Sequence, residues 1–414
     1  MTYALYRLLM WLLVPFALVR LAIRARRQPA YLANVAERFG HYRQQATQPV
    51  IWIHAVSVGE TRAAEPLVRQ LIERHPDKQI LLTNMTPTGR ETAKTIFGGD
   101  VLHCYLPYDL TPAVDRFLRH FSPQAAIIME TELWPTLVAR CARRGIPVQL
   151  VNARLSARSA KRYARFARLT RDLLGELGMV CAQTMRDAER FRQLGAPRVT
   201  ITGNLKFDRT APEQQLELGA AMRKQFGSQR HVFLAASTRE GEEPLVLEAV
   251  SKIPDPGLLT VIVPRHPQRF EAVADLLGRA GLEFQRRSEN QPISSNTRVV
   301  LGDSMGEMFA YFAACDIAFV GGSLLPLGGQ NLLEACAVGK PVIVGPHTFN
   351  FEEATEQAID AGAALRVADS DALASTVSDL LADRSQADRI GKAGQTFMTE
   401  HRGATGKTLA AIGL

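Results

Sequence analysis

The 414 residues include only five cysteines, Cys104, Cys141, Cys181, Cys315 and Cys336. Their number is odd, they are widely spaced, and no CxxC pair or His/Cys cluster occurs. This excludes a disulfide framework and structural zinc, and points to a reducing compartment. No GxGxxG is followed by an acid at dinucleotide spacing, which disfavours nicotinamide chemistry. Short-period repeats and low-complexity tracts are absent, and 46% hydrophobic content suits compact, ordered domains. Also lacking is an uncharged run of about 20 residues, the length a spanning helix needs. The longest candidate, Leu8 to Val19, stops at twelve residues between Arg7 and Arg20. No A-x-A cleavage site comes after it, which argues against a secretory signal peptide.

What is present begins with charge. The net +8 is local: residues 1–50 hold seven arginines against Glu37 alone, and residues 154–171, "RLSARSAKRYARFARLTR", hold seven bases and no acid. These patches carry +6 and +7, so the remainder of the chain is net −5. Such patches suit nucleic acid or an anionic membrane surface, and the apolar N-terminus selects the membrane. If Arg7 and Arg20 snorkel, Tyr3 to Ile23 just crosses a bilayer; otherwise the segment is an interfacial anchor. Arg24, Arg26 and Arg27 place the remainder of the chain on the cytoplasmic side. A helix packed on the protein itself is the simpler alternative. The basic stretch Arg154 to Arg171 reads as one helix for a membrane surface or acceptor phosphates, or else as a solvated basic face.

A chain of this length exceeds what one core usually supports, so two domains are expected. From residue 50, "VIWIHAV", "QILLTNM", "DVLHCYLPY", "AAIIMET", "PVQLVNA", "GMVCAQT" and "VTITGNL" alternate with helical patterns, the signature of α/β architecture with a mainly parallel sheet. "NLKFDRTAPEQQ" interrupts the pattern, and "HVFLAAS", "LLTVIVP", "TRVVLGD", "DIAFVGG", "PVIVG" and "AALRVA" then begin it again. The expected order is a membrane-associating segment (1–49), a Rossmann-like domain (50–205), a linker (206–215), a second Rossmann-like domain (216–400) and a C-terminal helix (401–414) crossing back to the first.

Glu60, in "HAVSVGE", ends a buried strand and opens a helix, the place where doubly wound sheets bind ligands. As a cap it complements the helix dipole; as a base it would be held ionised by that dipole. Glu130 and Glu132 in "METELWP" end another strand in the same way. In the second half, Gly321, Gly322, Gly328 and Gly329 precede a helix expected from Asn331, and such a loop lets a phosphate approach backbone N–H groups. Glu334, one turn on, is placed for ribose hydroxyls. Arg265 and His266 in "VPRHP", with "ASTREGEE" and a helix start at Met305, Gly306 and Glu307, add polar groups at strand ends. Asp369-Ser370-Asp371 looks like a DxD metal motif but reads better as a helix cap. No metal or other cofactor is expected.

These motifs together, with "NMTPTG", "VNARLS", "GNLKFD", "GDSMGEM" and "GGSLLPLGGQNLLEACAVGKPVIVGPHTFNF", resemble the 3-deoxy-D-manno-octulosonic acid (Kdo) transferases along nearly the whole chain. The resemblance implies a GT-B glycosyltransferase: two Rossmann-like domains facing a cleft, CMP-Kdo as donor and a lipid A precursor as acceptor. Carried over by motif, the general base falls on Glu60, and transition-state stabilisation on Glu130 and Lys206. CMP contacts fall on Pro264 and Arg265, on Met305, Gly306 and Glu307, and on Asn331, Leu332, Leu333 and Glu334. Lys206 is then expected to reach the donor phosphate or the Kdo carboxylate only on domain closure. The fold and glycine loop alone leave two rivals open, a UDP-sugar transferase and a non-catalytic binding protein.

Overall fold

The structure is a computed structural model that describes residues 2–414, without the side chain of Arg27; Met1 lies outside the described residues. The chain forms two compact units. The first runs to Arg209 and regains His401–Leu414, and the second spans Thr210–Glu400.

The first unit is built on a seven-stranded parallel sheet. Its strands are β1 (Val50–His54), β2 (Gln79–Asn84), β3 (Val101–Tyr105), β4 (Ala125–Met129), β5 (Val148–Ala153), β6 (Met179–Ala182) and β7 (Val199–Ile201), in the order β3-β2-β1-β4-β5-β6-β7. Side-chain alternation along β1 explains its apolar run. Val50 and Trp52 enter one core and Ile51 and Ile53 the opposite one, so both faces are covered by helices. Strand order reverses at β1, which pairs with β2 on one side and β4 on the other.

The second unit repeats the plan with β8 (Val232–Thr238), β9 (Leu259–Pro264), β10 (Phe284–Arg286), β11 (Val299–Leu301), β12 (Ile317–Val320), β13 (Val342–Val344) and β14 (Ala364–Arg366), ordered β10-β11-β9-β8-β12-β13-β14. Here the reversal lies between β8 and β12. The short edge strand β10 has only half-buried residues and no apolar run, which is why its sequence does not announce it.

Three expectations change. The expected linker begins later than residue 206, because Leu205–Asp208 forms a 3₁₀ turn whose Leu205 and Phe207 are buried, and the next helix starts at Glu213. The basic stretch is two helices, Ala157–Ala164 and Ala167–Gly175, interrupted where Phe166 leaves helical geometry. The N-terminal helix is longer than its twelve-residue apolar run: it covers Tyr3–Arg27, is capped by Thr2, and is long and apolar enough to cross a membrane by length and composition.

The returning segment His401–Leu414 carries the helix Ala404–Ile412, and Leu409 enters the same core as Leu205. Asp208 accepts hydrogen bonds from the backbone N–H groups of Gly403 and Thr405.

In the second unit, one buried carboxylate organises the centre of the sheet. Glu242, in the first turn after β8, accepts the N–H groups of Arg239 (2.9 Å), Gly322 (2.5 Å), Ser323 (2.9 Å) and Leu324 (3.0 Å), and so ties β8 to the loop after β12. Replacing it leaves four donors, three of them buried, without this partner. Glu242→Ala is predicted to destabilise the second unit by on the order of 3 kcal/mol or more. Chemical denaturation checks this, and an unchanged midpoint and slope would refute it.

Candidate functional site

The first unit gathers carboxylates at the switch point of its sheet. Beyond β1, the turn is clamped by its neighbour: Ala55 N–H donates to Thr83 O, Asn84 Nδ2 to Ala55 O (2.7 Å), and Met85 N–H to Val56 O (3.1 Å). Asn84 also donates to Thr61 Oγ1 (3.0 Å), fixing the first turn of the helix Val58–Arg74. The "NMTPTG" motif therefore holds Glu60 in position. His54, at the end of β1, is buried against Thr83, and burial pushes its imidazole down to about 4, so it stays neutral at pH 7.

Glu60 is only 8% exposed. Its Oε2 accepts the Val56 N–H at 2.8 Å and its Oε1 accepts the Ser57 hydroxyl at 3.1 Å, a variant of the capping box. The capping reading is thus realised in the fold. It does not keep the group ionised, however. Burial first, then the charge of Glu130 and, less, of Glu132, push the carboxyl up to about 8 against the pull of those two hydrogen bonds. Desolvation and the neighbouring carboxylates outweigh those two bonds, and the expectation of a permanently charged Glu60 is corrected. A carboxyl titrating near neutrality is suited to taking up a proton during reaction.

Glu130 follows β4, the strand beside β1, in the left-handed region (φ 55°) that β-carbon-bearing residues rarely adopt. Burial and Glu130 together raise the pKa of Glu132. Lys206 Nζ lies 3.4 Å from Glu130 Oε1, both side chains being partly exposed. The three groups assigned by motif to catalysis therefore fall on one unit, with Lys206 paired to Glu130 there. Two asparagines position the lysine. Asn152 Oδ1 accepts the Leu205 N–H and Asn204 Oδ1 the Lys206 N–H, each at 3.0 Å. Asn152, itself at φ 52°, lies in "VNARLS", whose purpose the sequence alone does not reveal.

In the second unit Pro264 ends β9 and Arg265 follows, with its N–H on Thr238 O and its Nε 3.1 Å from Gln330 Oε1. The Arg239 side chain passes beside Gly322 at its Cγ, and the Arg265 guanidinium is bound to Gln330 of the same loop. His266 is exposed rather than costly to bury, and its pKa is lowered by desolvation and by Arg265, Arg239 and Arg269. Gly306 takes a positive φ, Met305 is exposed, and Glu307 precedes the helix Met308–Ala314 while accepting the Ser304 hydroxyl at 2.6 Å.

The glycine loop differs most from expectation. A side chain at Gly321 would strike Thr238, and one at Gly328 would strike Asn350, so these glycines admit the protein's own chain. The N–H groups of 322–324 are occupied by Glu242. The helix starts at Leu333, not Asn331, and spans only Leu333–Ala337, with Asn331 Oδ1 accepting the Leu333 N–H at 3.2 Å. Leu332 and Leu333 are buried, which leaves their backbone rather than their side chains for a ligand; Glu334 is buried as well. Positive charge at this end comes from the arginines. In "ASTREGEE", expected to add polar groups at a strand end, Glu242 and Glu243 are fully buried structural groups, Glu243 bound to Thr238 and Arg269. Asp369 caps the helix Ser370–Ala382 through the Ala372 N–H. Among the described residues, no group of three or more His, Cys, Asp or Glu side chains is placed to hold a metal.

Two Rossmann-like units, each on a parallel sheet, are the plan of the GT-B class of glycosyltransferases. Residues 230–397 match the group 1 glycosyl transferases, and the fold is shared with the Anabaena HepE protein solved with UDP (TM-score 0.59, 15% identity, 88% of this chain and 98% of that one). Residues 33–209 match the 3-deoxy-D-manno-octulosonic-acid transferase family. The chain is 44% identical to the 3-deoxy-D-manno-octulosonic acid transferase of Bordetella pertussis, over 91% of this chain and 90% of the relative. It is 40% identical to that of Haemophilus influenzae, over 98% and 96%. The chain belongs to the Kdo transferase family, enzymes that transfer Kdo in lipopolysaccharide biosynthesis.

Carbon-13 NMR of the labelled Glu60 carboxyl is predicted to show a midpoint near 8. Glu130→Gln removes a neighbouring negative charge and should lower that midpoint, whereas Lys206→Met removes the counter-charge on Glu130 and should raise it. A midpoint in the ordinary carboxylate range, unmoved by either change, would refute both the desolvation and the charge coupling.

Proposed function

We propose that this enzyme transfers Kdo from CMP-Kdo to a lipid A precursor such as lipid IVA, by a single inverting displacement with Glu60 as general base. The observation carrying this reading is the position and raised pKa of Glu60 beside the Glu130–Lys206 pair. The acceptor hydroxyl oxygen bonds to the anomeric carbon of Kdo as the bond from that carbon to the phosphate oxygen breaks. Its proton passes to Glu60, and CMP leaves with the electron pair. Inversion results from one displacement at one carbon.

Glu130 has two parts to play in this scheme. It raises the affinity of Glu60 for the proton, and it holds Lys206, whose positive charge can meet the Kdo carboxylate or the negative charge developing on the departing phosphate. Arg265 and Arg239, beside the glycine loop, supply charge for the cytidylate phosphate, with Met305, Gly306, Glu307 and the Asn331–Glu334 segment contributing to the nucleotide site. Because guanidinium and ammonium groups can neutralise the leaving phosphate, the scheme calls on no metal. The exposed apolar helix Tyr3–Arg27 and the basic helices at 157–175 support residence at the cytoplasmic face of the inner membrane, where a lipid acceptor is embedded.

The test is transfer from CMP-Kdo, generated in situ, to a tetraacylated lipid A precursor, with products read by mass spectrometry. Glu60→Gln should lower the rate by about 10²–10⁴-fold while still binding CMP. For the wild type, log kcat/KM should rise with pH and level off near 8, because the base must be deprotonated to act. Equal rates for the two proteins would remove Glu60 as base. Protection of the second unit from proteolysis by UDP but not by CMP would instead favour a UDP-sugar donor.

A further inference from the structure

The exposure pattern of the N-terminal helix decides how it meets a bilayer. Along Tyr3–Arg27, the residues that are buried or half-buried are Tyr3, Tyr6, Arg7, Met10, Val14, Ala17, Leu21 and Ala25. They recur every three or four positions and so form one stripe along the helix. From Tyr3 to Ala25 this stripe is about 33 Å long, close to the ~30 Å hydrocarbon core of a bilayer. The start of the helix is bonded to the first unit through the Tyr6 hydroxyl, 2.9 Å from Asp109 Oδ2, and the Tyr3 hydroxyl, 3.4 Å from Glu176. At its far end Leu21 and Ala25 are buried, where the helix meets the 3₁₀ turn Pro29–Leu32 and Arg24 lies over the Tyr31 ring. Asp109 is itself buried, and it caps the helix Pro135–Ala142 by accepting the N–H groups of Thr136 and Leu137.

The opposite face is apolar and exposed: Leu5, Leu8, Trp11, Leu12, Phe16 and Val19 are all more than half exposed. Arg20, Arg24 and Arg26 are exposed on the same helix, which contains no acid. The Tyr3–Glu176 contact sets the helix start beside the end of the second basic helix, which with its neighbour exposes Arg158, Arg162, Arg165, Arg168 and Phe166.

We propose that helix Tyr3–Arg27 lies in the plane of an anionic bilayer with both ends on the side of the first unit, and does not cross the membrane. This rests on the membrane reading proposed above and specifies its geometry. A crossing helix would have to take the Tyr6 hydroxyl from the buried Asp109 and the Tyr3 hydroxyl from Glu176. Lying flat, it keeps those contacts, immerses the apolar face, and lets its arginines reach lipid phosphates sideways. A second copy of the chain is the poorer occupant of this face, because like-charged arginines would meet across a symmetric contact, whereas an anionic surface complements them.

The test uses the full chain with Thr2→Cys or Gln28→Cys, the native cysteines all being buried. In intact inside-out inner-membrane vesicles, both variants should react with a membrane-impermeant maleimide to the same extent as after detergent. Reaction of Thr2→Cys only after detergent would overturn the in-plane arrangement while leaving membrane association standing. Separately, purified protein should pellet with vesicles of phosphatidylethanolamine and phosphatidylglycerol, and the double variant Leu12→Glu/Phe16→Glu should pellet at least about tenfold less. Wild-type protein that stays in the supernatant as a detergent-free dimer would assign the face to a second copy and overturn the proposal together with the membrane reading.

Discussion

Backbone N–H groups leaving the central strand of a parallel sheet must find partners, and in both units of this enzyme a glutamate folds back to provide them. After β1 the glutamate is Glu60, and after β8 it is Glu242. The difference lies in the number of donors. Glu242 receives four N–H groups and joins two strand ends as a structural tie. Glu60 receives one N–H and one hydroxyl and has Glu130 nearby, so its charge is under-compensated and its proton affinity high. One local device thus serves as a fastener in one unit and, in the mechanism proposed, as a reactive group in the other.

The carboxylate site depends on support from elements distant in sequence. Asn84 from β2 clamps the turn before Glu60, and Asn152 from β5 holds the 3₁₀ turn bearing Lys206. The left-handed backbone at Glu130 and Asn152 concentrates conformational strain at the strand ends that face this site. Such strain persists only where surrounding contacts over-determine the geometry, and here the sheet supplies them.

Much of this was legible in the sequence. Apolar runs long enough to be buried on both faces marked most strands, and the position of Glu60 between strand and helix marked the switch point. Charge density in 154–171 was readable, but the break at Phe166 was not, since it depends on which residues the unit buries. Glycine-rich sequence misled in a specific way: the space beside Gly321 and Gly328 is taken by Thr238 and Asn350, partners that only the folded chain brings near. Glu242 and Glu243 were equally opaque, because buried and solvent-facing carboxylates look alike in a sequence. The raised pKa of Glu60 is hidden from the sequence for the same reason. A helix dipole can be inferred from local order, whereas desolvation is a property of the finished fold.

The return of His401–Leu414 to the first unit has a temporal consequence. Leu409 fills part of the core that Leu205 also lines, and Asp208 waits for the N–H groups of Gly403 and Thr405. During synthesis those residues emerge only after all of Thr210–Glu400. The unit translated first is therefore the one completed last, its core open along this seam until the returning segment has been made.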